Sequence, residues 1–366
     1  MNNKFIDEKK ISKGDRKELK TAFMRMMGDL AQIQARKEEK LWRTINIDCC
    51  LTDILGNLTK DDLNKIRTNL QIKNISNLKK QQLIEHLAVG IPATLSTLAE
   101  VIFDEERFNW FKKIAKNGGY LYSSTMPIDM MIYFRERGLL FTGVYQNKKV
   151  IVMPPEILAA FEELDEGDLA NYVKRNTEWI CFTHGLLYYY GVLSFIQLKV
   201  MLEEVIGGEL DSNAYSSVMA EAMNCYKQVG VTASAYYDER VDDEEYILFE
   251  QNRREDISYY PFTKGQLLKA GKFGYIEKSS AMEEFIKFMS HGYELNQVEE
   301  DELAGICVEI LNNDQGVASL FEYLQENYEI DSADLTKKIG SYLTVMHNQT
   351  RLWILKGYKP DELTKK

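Results

Sequence analysis

The apolar positions of residues 55–87, LGNLTKDDLNKIRTNLQIKNISNLKKQQLIEHL, recur at helical spacing in two short runs. Thr59 stands as an N-cap before a first helix with Leu63, Ile66 and Leu70 on one face. A polar loop, Lys73 to Asn77, follows, and Leu78-Lys79-Lys80 opens a second helix with Leu83, Ile84 and Leu87 turned inward. Upstream, Leu19, Phe23, Met26, Leu30 and Ile33 are spaced four, three, four, three, which predicts a long helix over 16–43. That rhythm lasts about two heptads, short of the three or more a coiled coil needs, so a helix packed on its own protein is preferred to a dimerising one.

Gly90-Ile91-Pro92 reads as a boundary. Beyond it the pattern predicts helix over Leu95 to Lys116, stopped by Gly118-Gly119, and a second helix from Ile128 to Arg137 with Pro127 in its first turn and Gly138 as its stop. LLFTGVY and KVIVMPP are β-rich runs joined at Gln146-Asn147-Lys148, a hairpin signal. Helix, helix, hairpin is the order of a winged helix. A similar order recurs: an all-round apolar helix from Thr177 to Leu193, a helix capped by Ser194, and a helix capped by Asp211 or Ser212. VTASAYY and EEYILFE then read as a hairpin around Asp238 to Asp243. From Ser279 the chain reads as helical, with a capping-box pattern at Ser280-Ala-Met-Glu283 and a last long helix from about Asp334 to Leu355. The expected fold is therefore mainly α and multi-domain, with two winged-helix-like units each carrying a small β-hairpin. Its parts are a basic N-terminal helix (1–48), a helical module (49–90), winged-helix-like units at 91–162 and 163–278, and a C-terminal helical region (279–366).

The Leu55–Leu87 segment resembles the helix–extended loop–helix modules of the SAP and Rho termination factor N-terminal families, whose members commonly touch nucleic acid. The hairpin run from Gly138 to Ile157, closing on Met-Pro-Pro-Glu-Ile, resembles winged-helix segments in bacterial helicase-associated domains. The stretch TRLWILKGYKPDEL resembles the segment that precedes a zinc-binding SEC-C motif in some bacterial proteins. No cysteine cluster accompanies it here, so that family's metal role is not inherited.

Charge narrows the picture. Residues 1–90 hold 18 Lys and Arg against 12 Asp and Glu, a net +6, whereas the remainder holds 27 against 44, a net −17. Contact with a polyanion is thus expected in the first quarter of the chain, and a solvated basic helix is the alternative. Five cysteines at spacings that give no disulfide framework, and a charged N-terminus, fit a cytoplasmic protein. The longest apolar run, Gly185 to Val205, is interrupted by Lys199 and Glu203-Glu204, so no membrane span is expected.

Candidate chemistry is sparse. Cys181 and His184 stand three apart on a helix, but one pair is not a zinc site and nothing marks an oxyanion site. A buried thiol beside a hydrogen-bonded histidine is the preferred reading, with no metal and no cofactor. Tyr188-Tyr189-Tyr190, Tyr236-Tyr237 and Tyr259-Tyr260 read as core rather than base-stacking platforms, since they lie in the acidic part of the chain. The leading expectation is a non-enzymatic nucleic-acid-binding or regulatory protein. Lys73, Lys79 and Lys80 would touch DNA or RNA phosphates, with Arg135, Lys148 and Lys149 (and Arg137 beside them) as a secondary patch. The alternative is an adaptor whose acidic second half holds a basic protein partner through Asp242, Asp243, Glu244 and Glu245. An enzyme of another kind is the third reading.

Overall fold

Two three-stranded antiparallel sheets, each set among helices, organise a mainly helical chain. The structure, a computed structural model, describes residues 39, 41–73, 75–122, 125–164 and 166–364; most of the expected 16–43 helix and of the basic segment 1–48 lies outside these residues. Two compact units are distinguished, Met1–Leu95 with Trp110–Glu163, and Ser96–Asn109 with Leu164–Lys366. No helix among the described residues is long and apolar enough to cross a membrane.

First come α1 (Leu51–Gly56), α2 (Lys60–Asn69) and α3 (Lys80–Ile102), the last of which belongs to the first unit as far as Leu95. Thr59 caps α2 through a reciprocal capping box with Asp62. The Leu63, Ile66, Leu70, Leu83, Ile84 and Leu87 side chains are buried between the helices, and Ile75 in the loop joins them. Cys50 offers α1 no side-chain cap; the Glu156 carboxylate accepts from the Leu51 N–H instead, at 3.0 and 3.1 Å. Gly90-Ile91-Pro92 does not break the chain, because α3 runs through Pro92. The lost backbone hydrogen bond and ring clash cost about 3 kcal/mol in a free helix. Full burial of Leu87, Ile91 and Leu95 on one stripe, worth roughly 1.5–3 kcal/mol each, outweighs it.

After α4 (Glu105–Lys116) come β1 (Tyr120–Tyr122), α5 (Ile128–Arg135), β2 (Phe141–Tyr145), β3 (Lys148–Val152) and α6 (Pro155–Glu162). The expected hairpin is present: Gln146 and Asn147 both take positive φ, 48° and 60°, the conformation of a two-residue turn whose twist matches its strands. β1, which is too short to signal itself, pairs with β3 and gives the order β1-β3-β2.

The second unit contains α7 (Glu166–Tyr190), β4 (Val192–Ser194), α8 (Phe195–Ile206), α9 (Ser212–Tyr226), β5 (Val229–Val231) and β6 (Ala235–Asp238), in sheet order β4-β6-β5. Ser194 caps α8 through a capping box with Gln197, and Asp211 caps α9. The helices α10 (Glu244–Arg253), α11 (Lys264–Ala270), α12 (Ser280–Tyr293), α13 (Gln297–Asn312), α14 (Gly316–Asn327), α15 (Ala333–Gln349) and α16 (Pro360–Leu363) follow, with a short 3-10 turn at Trp353–Leu355.

EEYILFE is therefore helix, not the second strand of a hairpin. Asp243 accepts from the Tyr246 N–H as N-cap, and Glu244 and Glu245 sit in the first turn, where the helix dipole favours negative charge. The hairpin lies wholly within VTASAYY and its flanking residues, β5 to β6, around Thr232–Ser234. Two smaller expectations also shift. Ser279, not Ser280, caps α12, and the last long helix stops at Gln349, where Thr350 turns extended.

The tyrosine runs pack inside. Tyr188, Tyr189 and Tyr190 are buried, Tyr189 stacks on Phe262 at 3.8 Å, and the Tyr190 hydroxyl donates to the Tyr260 carbonyl. Buried Gln251 donates to the carbonyls of Tyr190 (2.7 Å) and Trp353 (3.0 Å) and accepts from the Tyr259 hydroxyl (3.1 Å). Helices α7 and α11 meet closely enough that Gly185 lies against the Leu267 backbone and Gly271 against that of Cys181.

Candidate functional site

Strand register decides which side chains of the first sheet share a face. Tyr120 and Tyr122 are two apart on β1, their rings 5.6 Å apart edge to face. Tyr122 faces Val150 across β3, two residues from Lys148, and Lys148 in turn pairs with Tyr145 on β2. Tyr120, Tyr122, Tyr145 and Lys148 therefore lie on one face. The Lys148 ammonium stands 5.9 Å from the centre of the Tyr122 ring. The three tyrosines are half-buried and the lysine is exposed. Lys149 points to the opposite face, where its ammonium lies 4.5 Å from the Trp42 ring. Residues 43–45 run beside β2, held by the Ile45–Val144 and Val144–Arg43 backbone hydrogen bonds. They bring Trp42 to this corner.

The other expected contacts fare differently. Arg135 is half-buried; burial pulls its guanidinium below the ordinary arginine range, with Asp62, Arg43 and Glu136 around it. Arg137 is buried, donates to the Tyr133 carbonyl and lies 3.7 Å over that residue's ring, so it supports the fold. Lys73 and Lys79 are exposed in the loop between α2 and α3. Lys80 is exposed as well, but its ammonium donates to the Gly56 carbonyl at 2.8 Å, sitting on the negative end of α1. Asp242 is held by Asn313 and Gln315, and Asp243 is a cap; only Glu244 and Glu245 keep their carboxylates without such a task. Tyr120 and Tyr122 were not among the expected contacts. Their signal was the alternation Tyr-Leu-Tyr directly after Gly118-Gly119, which puts both rings on one side of any strand.

The second unit carries a cleft of about 390 Å³ lined by Cys181, His184, Tyr226, Phe273 and the Asp104–Glu106 corner. That corner is fixed locally. Asn176 takes the Glu100 and Phe103 carbonyls that end α3, Asp104 caps α4 through the Arg107 N–H, and the Glu105 N–H donates to Thr177. Asp104 is buried, ion-paired with the wholly buried Arg107 at 3.1 Å, and accepts from the Tyr226 hydroxyl at 2.7 Å. Burial pushes the Cys181 thiol up to about 11, helped by the Asp104 and Glu105 charges. Burial lowers His184 to about 4, and its ring bonds to the Gly271 backbone. Both groups are neutral near pH 7, the reverse of a thiolate–imidazolium pair. Among the described residues no group of three or more His, Cys, Asp and Glu side chains is arranged to hold a metal ion.

Comparison of the chain with protein-family models, with curated proteins and with solved structures finds no match.

Proposed function

We propose that this protein is a non-enzymatic binder of nucleic acid, acting through its first unit on single strands without reading sequence. The observation that carries this reading is the shared face of Tyr120, Tyr122, Tyr145 and Lys148 on the β1-β3-β2 sheet. Aromatic faces stack on any base, worth roughly 1–3 kcal/mol per base, and lysines beside them contact phosphate as point charges. Lys149 beside Trp42 offers the same chemistry on the opposite face of the sheet. Lys73, Lys79 and Lys80 in the helix–loop–helix segment, which we read as SAP-like, would add sequence-independent phosphate contacts. The charge distribution favours this unit. Residues 1–95 with 110–163 hold 25 Lys and Arg against 17 Asp and Glu, whereas residues 96–109 with 164–366 hold 20 against 39.

We read the β4-to-β6 part of the second unit as a winged helix, because helix, strand, helix, helix, strand, strand with the first strand beside the last is that fold's order. Its wing would be Thr232–Ser234, and its net charge argues against a phosphate partner. Fluorescence anisotropy of the full chain with a labelled single strand of about 12 nucleotides tests the function. Binding should weaken steeply with salt, and replacing Tyr120 and Tyr122 with Ala should reduce it by about tenfold or more. Equal affinity for single strand and duplex with the tyrosine variant unchanged, or no binding at low salt, would overturn the reading.

A further inference from the structure

The cleft of the second unit has a chemistry unlike that of the tyrosine face. Its deep polar groups are neutral or internally paired: Asp104 is committed to Arg107 and Tyr226, and the Cys181 thiol is protonated. His184 is nine-tenths buried and lines the wall. Its ring lies by the Gly271 backbone, and a neutral imidazole carries one N–H and one lone pair that can accept. At the rim stand Glu105 and Glu106, both exposed, with Lys272 as the one cation lining the cleft among the described residues. Phe273 is 79% exposed beside them, although a large apolar ring at a free surface gives up burial. Glu106 is raised from its ordinary value by burial and by the Asp104 charge, so a cation there would relieve repulsion.

We propose that this cleft receives an arginine side chain presented by a basic protein segment. A guanidinium is planar, donates from every edge and accepts nowhere. It would donate to the His184 lone pair and to the Glu105 and Glu106 carboxylates, with its flat face against Phe273 and Tyr226. A phosphate or other anion would meet those carboxylates as a like charge, and a lysine ammonium lacks the flat face for the rings. The 20 Lys and Arg against 39 Asp and Glu in the sequence of this unit would steer such a segment inward.

The test uses the full chain and a fluorescein-labelled peptide of three arginines separated by Gly-Ser, read by anisotropy, with the lysine version beside it. The arginine peptide should bind at low salt and the lysine peptide more weakly. Phe273→Ala, and Glu105→Gln combined with Glu106→Gln, should each weaken binding by about fivefold to tenfold. All three positions are exposed, so these variants keep the fold, which circular dichroism verifies. Glu244→Gln with Glu245→Gln removes the same charge elsewhere in the unit and should leave affinity within about twofold. No binding of the arginine peptide, equal affinity for both peptides, or equal weakening by the two double variants would overturn the proposal. Tighter binding of a labelled single strand than of the peptide, lost in Phe273→Ala, would overturn it in favour of a nucleobase.

Discussion

The backbone-to-backbone approach of α7 and α11 can be probed with a single methyl group. A Cβ at Gly185 would run into the Leu267 carbonyl, and one at Gly271 into the Cys181 carbonyl. Gly271 has φ −75°, and Gly185 is not among the positive-φ glycines, so neither backbone demands glycine and only the space does. Two effects compete at Gly185, which lies inside α7. Alanine in a helix interior gains about 1 kcal/mol over glycine, while an extra carbon forced into a well-packed interior costs about 1–3 kcal/mol. Here the obstacle is main chain, which cannot rotate away, so the upper figure applies and Gly185→Ala should lose about 2 kcal/mol net. Gly271→Ala, at the C-cap of α11 and without the helical gain, should lose about 3 kcal/mol. At about 2–4 °C per kcal/mol for a domain of this size, the melting temperature should fall by roughly 4–12 °C. Gly265 supplies the control, because it sits in the same α11 with nothing within 4 Å of its would-be Cβ. Gly265→Ala should stabilise by up to about 1 kcal/mol. Differential scanning calorimetry of the three variants decides the matter. Melting of Gly185→Ala and Gly271→Ala at or above that of Gly265→Ala would refute the close approach.

Two further outcomes follow from buried polar groups. His184, lowered to about 4 by burial, is neutral in the folded state over a range where the unfolded chain is protonated, so stability is complete above about pH 6.5 and falls as pH drops toward 4. The loss should reach about 3 kcal/mol between those limits in urea titrations and should largely vanish in His184→Gln; a pH-independent midpoint in the wild type would contradict it. Gln251→Leu strands the Tyr190 and Trp353 carbonyls and should cost about 2–4 kcal/mol, read as a lower denaturant midpoint at unchanged slope.

Local signals were legible in the sequence where one residue type does one job. Thr59, Ser194 and Asp211 cap the helices they announce, and Gln146-Asn147 turns the first hairpin. The failures have physical causes. EEYILFE offers four apolar residues in a row, which strand and helix share; the Asp243 cap and the burial of Ile247, Glu250 and Gln251 on one side decide for helix. Pro92 looked like a stop because propensity cannot see the apolar stripe that overrides it. β1 and β4 have three residues each, too few for a period. The cleft joins segments near residues 104, 181, 226 and 272, so no spacing rule could have assembled it. The tyrosine face was half-legible: the Tyr-Leu-Tyr alternation is local, but Tyr145 and Lys148 join it only through register.

Trp353 carries a consequence for how the chain is made. Its indole N–H donates to the Tyr188 carbonyl across 165 residues of sequence, the side chain is wholly buried, and Gln251 bonds to its carbonyl. During synthesis the aromatic turn of α7 therefore emerges bare, gains Phe262 and Tyr260 part-way, and stays uncovered on its Trp353 side until residue 353 is added. Slow pairing of distant segments exposes such surfaces to other chains. Nascent chains halted before residue 353 should bind chaperones through Tyr188–Tyr190, and a stop codon anywhere upstream of Trp353 should send the product to proteolysis.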